Sequence, residues 1–156
     1  MLKLIACVTS DGGLGKDNKL LVKMDEDMEH FKRKTIGHTV VMGRKTWESL
    51  SRKPLPNRRN IVMTNQPESI PGAETVNSIE DIIGLSKKED VFIIGGAEIY
   101  SLFLEHAQVL EMTEVDGVFP ADTFFPEFDN SKFKVTHCTD VEGSNLYGVF
   151  KTYEKI

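Results

Sequence analysis

The sequence predicts an α/β fold. It is read as a single domain over residues 1–156, with a predominantly parallel eight-stranded sheet, an antiparallel C-terminal edge strand and four flanking helices. Apolar, β-branched runs alternate with segments whose apolar residues recur at i, i+3, i+4, the rhythm of βαβ units. Two of these runs end in glycine and turn at once into a helix. The last two strand-like segments follow each other with no helix between them, so they close as a hairpin-like antiparallel pair.

In chain order, residues 2–8 read as a strand with few polar interruptions, which places it centrally. Thr9 to Lys23 reads as a loop rich in Gly and Asp. At roughly 15 residues it exceeds an ordinary connection, and its three glycines suggest a movable lid. Met24 to Thr35 reads as a helix, with Asp25, Glu26 and Asp27 in its first turn and Lys32, Arg33 and Lys34 near its end, as the macrodipole favours. Met24, Met28 and Phe31 share a face. Asp27 lies about 40° from Phe31 and about 100° from Met28 around the helix, at the edge of that apolar face. A carboxylate there is partly desolvated and has a raised pKa unless it is paired. From the helix alone, Asp27 is a first-turn acid like its neighbours.

Thr39 to Met42 is a second strand, running into Gly43 and the helical segment Arg44–Leu50. Arg44 and Lys45 oppose the macrodipole at that helix start unless an anion offsets them. Trp47 is core or groove wall. After a turn at 54–59, Asn60–Thr64 is a third strand ended by Asn65-Gln66-Pro67, Ser69–Gly72 is a loop, and Glu74–Val76 is a short strand. Ser78-Ile79-Glu80-Asp81 has the spacing of a capping box before the stripe Ile79, Ile82, Ile83. Val91–Ile94 then runs into Gly95-Gly96 and a helix carrying Ile99, Leu102 and Phe103 on one face. Two residues without side chains at a strand-to-helix turn let a phosphate or a flat dinucleotide press on the main chain. The alternative is a tight turn with no ligand. Val109–Val115 is a strand, 116–126 a loop, and 133–139 and 146–154 the closing pair. Ligands of such sheets lie at the carboxyl ends of the strands, where both glycine turns and the long loop would gather.

The bulk numbers fit an ordinary globular domain, since 40% of residues are hydrophobic and 28% charged. No apolar run is long enough to span a membrane, and the start is too short and lacks the cleavage region of a signal peptide. With a net charge of −5, nucleic acid is not an expected partner. The charge is uneven. Lys32 to Arg59 holds nine Lys/Arg against one acid, Glu48, a net +8 that leaves −13 elsewhere. Such a window suggests a local anion site or a solvated basic face. Cys7 and Cys138 have no metal spacing, no metal site is expected, and both are read as buried free thiols of a reducing cytosol. A cytoplasmic monomer is the expectation, since no exposed apolar stripe stands out.

Four blocks in order carry a resemblance: Val41-Met42-Gly43-Arg44-Lys45-Thr46-Trp47-Glu48-Ser49-Leu50, Pro54-Leu55-Pro56-Asn57-Arg58-Arg59-Asn60-Ile61, Ile94-Gly95-Gly96-Ala97-Glu98-Ile99-Tyr100 and Asp122-Thr123-Phe124-Phe125-Pro126. Together they resemble dihydrofolate reductase. The resemblance implies NADPH-dependent reduction of 7,8-dihydrofolate to tetrahydrofolate, in support of one-carbon metabolism and thymidylate synthesis. It implies that Asp27 holds the pterin, that Thr113 supports it, and that Leu20 and Val22 of the lid belong to the catalytic set. It implies a substrate groove of Ile5, Ala6, Met28, Phe31, Leu50, Leu55, Ile94 and Tyr100, with Arg58 gripping the glutamate tail and Lys32 and Arg52 at the rim. For the cofactor it implies Ala6, Cys7, Leu14, Gly15, Gly43, Arg44, Lys45, Thr46, Met63, Ile94, Gly95, Gly96, Ala97, Glu98, Ile99 and Tyr100, with Arg44, Thr64 and Asn65 facing the adenosine 2′-phosphate. Asp122 would anchor the lid by a hydrogen bond.

Where the family usually has Pro-Trp before the first helix, this chain has Leu21-Val22. The change implies a roomier, less ordered substrate mouth. Glu98 and Asn77 stand where some relatives carry basic residues, which implies modest cofactor affinity. Two rival readings remain at this point. One is the related pyrimidine reductase of riboflavin synthesis, and the other is a folate- or nucleotide-binding module with impaired turnover.

Overall fold

The structure, a computed structural model, describes residues 1–66 and 70–156. The readings made for Pro67 and Ser69 lie outside the described residues. The order is β1 Leu2–Thr9, β2 Gly13–Lys16, β3 Lys19–Leu20, α1 Asp25–Thr35, β4 Thr39–Gly43, α2 Arg44–Ser49, β5 Arg59–Met63, β6 Glu74–Val76, α3 Ile79–Ser86, β7 Val91–Gly95, α4 Ala97–Phe103, β8 Val109–Val115, β9 Thr123–Phe124, β10 Phe133–Gly143 and β11 Leu146–Lys155.

Eight of these strands form one sheet in the order β10-β11-β8-β1-β7-β4-β5-β6. From β8 to β6 every pairing is parallel, and β11 runs against both of its neighbours. The antiparallel strand therefore sits one position in from the edge, and β10 forms the edge. The fold class is as the sequence predicted.

The central strands are apolar on both faces because helices cover both. On one face Leu4, Val41, Ile61 and Ile93 pack with Ile82 of α3 and Ile99 and Phe103 of α4. On the other, Ile5, Val40, Met42, Val62 and Phe92 pack with Trp47 of α2, and Phe31 of α1 leans on the same cluster. Trp47 is thus core. Each fully buried Leu, Ile or Phe contributes about 1.5–3 kcal/mol.

The long segment after β1 is not a bare loop. β2 and β3 form a hairpin, and β9 adds a third strand against β2. The hairpin turns through Asp17 (φ 52°) and Asn18 (φ 62°), and β10–β11 turns through Ser144 (φ 51°) and Asn145 (φ 62°). Two successive positive φ angles are the geometry of a tight two-residue hairpin, which Asn and Asp tolerate best.

The capping box at Ser78 does not form. The Ser78 hydroxyl goes to the Glu80 carboxylate at 2.8 Å, and its side chain accepts no bond from the helix backbone. The thiols are also less buried than expected. Cys7 is half-buried and Cys138 is exposed, because β10 is an edge strand with most residues open to solvent.

Candidate active site

The site lies toward the carboxyl ends of the central parallel strands β8, β1, β7 and β4. Thr113 of β8 is 2% exposed, and its hydroxyl donates to Asp27 Oδ1 of α1 at 2.6 Å. A bond this short from a hydroxyl to a carboxylate is charge-assisted. Asp27 is half-buried and is therefore paired, turned onto the end of the sheet rather than out to bulk water. Cys7 lies beside Thr113 in the β1–β8 ladder. Burial, then the Asp27 charge, push the Cys7 thiol far above its ordinary range. Tyr100 is likewise pushed up, by burial first and then by Cys7 and Asp27. The three groups lie close enough to feel one another's charge.

Across β1 from Asp27, β7 and β4 end in the two glycine turns. Gly95 has φ 131°, and a Cβ there would sit 3.4 Å from both Thr46 Oγ1 and the Tyr100 hydroxyl. At Gly43 a Cβ would press on Ile99 Cγ1 at 3.0 Å. The Gly95–Gly96 peptide bond is cis. Gly43 and Gly96 are the N-caps of α2 and α4, and neither helix start has a side-chain cap. Tyr100 ties the turn to β1 through its hydroxyl, which donates to the Ile5 carbonyl at 2.7 Å. Thr46, Ile99 and Tyr100 thus pack around the two glycine turns.

Of the expected groove wall, Phe31, Leu50, Leu55 and Ile94 pack on the cluster that contains Ile5, whereas Ala6 and Tyr100 are buried in the cluster on the other face of the sheet. Met28 is 55% exposed, and Lys32 and Arg52 are exposed. Arg58 is oriented by two bonds, Nε to the Pro56 carbonyl at 3.0 Å and Nη1 to Thr35 Oγ1 at 3.1 Å, with its guanidinium 5.9 Å from the Phe31 ring centroid. Partial desolvation lowers its pKa from the usual value.

Arg44 reaches Glu48 at 2.9 Å and Gln66 Oε1 at 2.7 Å, beside Thr64 and Asn65 at the end of β5. Met63 is half-buried, and Lys45, Glu98 and Asn77 are exposed. Leu14 and Gly15 sit on β2. In the lid, Leu20 is 61% exposed, whereas Val22 is 7% exposed and enclosed by Met24 and Val115. Asp122 Oδ2 accepts from the Asp17 N–H at 3.0 Å, and the Asp122 N–H donates to the Gly15 carbonyl at 3.0 Å.

Sequence reasoning missed Gln66, Thr35 and the acids that neutralise the basic window from outside it. Arg59 makes a bidentate pair with Glu74, and Lys34 lies 3.7 Å from Glu111. The short polar run after β5 was the only signal for Gln66.

A family model described as dihydrofolate reductase matches residues 1–155. The chain belongs to the dihydrofolate reductase family. It is 42% identical to the dihydrofolate reductase of Bacillus subtilis (strain 168) over 137 residues, covering 86% of this chain and 81% of that one. With the dihydrofolate reductase of Neisseria gonorrhoeae it shares 42% over 144 residues, covering 90% and 89%. A dihydrofolate reductase from Enterococcus faecalis, solved with NADP(H) and RAB-propyl, superimposes with a TM-score of 0.92 at 32% identity, covering 99% of this chain and 96% of that one. The Asp27–Thr113 pair and the glycine turns thus lie within the residues, 1–155, that the dihydrofolate reductase family model matches.

Proposed function

We propose that Asp27, Thr113 and the glycine turns carry out the family's reaction in this chain. The protein reduces 7,8-dihydrofolate to 5,6,7,8-tetrahydrofolate with NADPH. The observation that supports these residue roles is the 2.6 Å bond from the Thr113 hydroxyl to Asp27. It leaves the second carboxylate oxygen to accept from the N–H groups of a flat heterocycle, so Asp27 holds and polarises the pterin.

The residues fit the cofactor. A side chain at Gly43 or Gly95 would crowd Ile99, Thr46 and Tyr100, so the main chain stays bare at these turns, and the uncapped N–H groups of α2 and α4 suit an anionic, flat ligand. Gly43, Thr46, Gly95, Gly96, Ala97 and Ile99 would hold it, with Arg44, Thr64 and Asn65 at its 2′-phosphate. When bound, NADPH supplies the hydride that goes to C6 of the pterin. The chain aligns the ring and excludes water around it. Water delivers the proton to N5. Arg58, pre-set by Thr35 and Pro56, takes the carboxylate of the glutamate tail.

Among the described residues no helix is long and apolar enough to cross a membrane. The protein acts as one functional domain over 1–156, a cytoplasmic monomer. The half-buried and exposed free thiols suit a reducing compartment. The family match leaves the riboflavin-type reductase without support. The test is to mix protein, NADPH and dihydrofolate and follow the loss of cofactor absorbance. Turnover is expected, and binding without turnover would leave only a binding module.

A further inference from the structure

A second ionisable layer lies behind Asp27. Asp27, His30 and Lys34 fall at i, i+3, i+7 along α1 and form one stripe. The stripe faces β8 and β11. Glu111 and Thr113 are two apart on β8, and their register partners on β11 are Thr152 and Phe150. Three contacts join the stripe to the sheet. The Thr113 hydroxyl donates to Asp27 at 2.6 Å. The His30 ring lies flat on Phe150, with centroids 4.0 Å apart and planes 8° apart. Lys34 Nζ lies 3.7 Å from Glu111 Oε2, which also accepts from the Thr152 hydroxyl at 3.0 Å.

His30 therefore occupies the middle of a column with a carboxylate on each side. Glu111 is only 6% exposed, and its cationic partner Lys34 is 43% exposed. The charged groups around His30 are Asp27, Arg33 and Lys34 on its own helix and Glu111 on β8. On β11, Phe150 and Thr152 carry no charge, Glu154 lies two residues further on, and Lys151 turns to the other face to meet Glu114. On β10, Thr139 pairs with Phe150; His137, opposite Thr152 and exposed, is the nearest titratable residue on the same face, and the adjacent Cys138 and Asp140 alternate to the other face. Burial first, then Lys34, lowers the His30 pKa from its ordinary value, while Asp27 and Glu111 oppose that fall. The ring is thus harder to protonate than a free imidazole.

We propose that His30 is a positioning residue for Asp27. Its ring on Phe150 seats the α1 stripe against β8 and β11. Its protonation puts a cation between the Asp27 and Glu111 carboxylates, where it competes with the substrate ring for the charge of Asp27. Substrate binding then weakens in mild acid by a step that a chain without an ionisable residue at position 30 lacks. The inference rests on the reading of Asp27 given above.

The test compares KM and kcat for dihydrofolate between pH 5.5 and pH 8 in the natural protein and in His30→Phe, which keeps a stacking ring. The KM ratio between the two pH values is expected to be about threefold larger in the natural protein, with kcat changing less. Equal ratios in the two proteins would overturn the proposal, whereas absence of turnover at pH 7 would sink the reading of the site instead. His30→Gln serves the same comparison with a polar, non-titrating residue. A second readout needs no catalysis: the His30 ring titration followed by NMR. It is expected to move to lower pH in Asp27→Asn and in Glu111→Gln, since each removes a charge that favours the imidazolium. A titration that stays put in Asp27→Asn would show no coupling and reject the idea.

Discussion

Replacing Thr113 with Val tests the pairing that orients Asp27. The substitution keeps the shape of a side chain that is 2% exposed and removes the one hydroxyl donating to Asp27 Oδ1 at 2.6 Å. A hydrogen bond to a charged group contributes about 1.5–3 kcal/mol, which corresponds to about 10- to 150-fold in an equilibrium or rate. Asp27 is only half-buried, so water can re-solvate the freed oxygen in the free enzyme. The expected loss in kcat/KM for dihydrofolate at pH 7 is therefore near the lower end, about tenfold. The assay is steady-state turnover at saturating NADPH, with urea unfolding as a control for global stability. A loss below about twofold, in a protein of natural stability, would refute the claim that this bond supports the pterin carboxylate.

Arg44→Leu should narrow the preference for NADPH over NADH. Arg44 is already shared with Glu48 and Gln66 and is 41% exposed, so the change should be near the low end of about 1.5–3 kcal/mol, and an undiminished kcat/KM ratio would place the 2′-phosphate elsewhere. Gly95→Ala forces a side chain into φ 131° against Thr46 and Tyr100, and should cost about 1–3 kcal/mol in urea unfolding and weaken NADPH binding; natural cofactor affinity would contradict the close approach assigned to this turn. Val22→Trp adds bulk to a site enclosed by Met24 and Val115, so it should destabilise by about 1–3 kcal/mol and alter antifolate affinity; unchanged affinity ends the idea of a roomier mouth.

Most of the eight main strands and four helices were legible because they are apolar runs or stripes with a clear period; β6 (Glu74–Val76) and α2 (Arg44–Ser49) are not. The β2–β3–β9 sheet was not. Its strands are two to four residues long, too short to show alternation, and only Asp17-Asn18 marked its hairpin turn, with two positive φ angles. Cys138 was misjudged because an edge strand alternates like any other while leaving both faces wet. The pairing of Arg59 with Glu74 joins residues 15 apart on neighbouring strands, which no local pattern reveals. Asp27 was legible only as a first-turn acid until the four-block resemblance gave it a partner. His30 carried no signal at all, because its meaning depends on which residues β11 sets beside Thr113.

The most direct measurement is the pH profile of Asp27→Asn with NADPH and dihydrofolate. With the carboxylate gone, turnover at neutral pH should fall by about 100-fold or more, and part of it should return in acid as dihydrofolate arrives already protonated. Natural activity at neutral pH, or a deficit that acid does not relieve, would contradict a carboxylate that grips and polarises the ring.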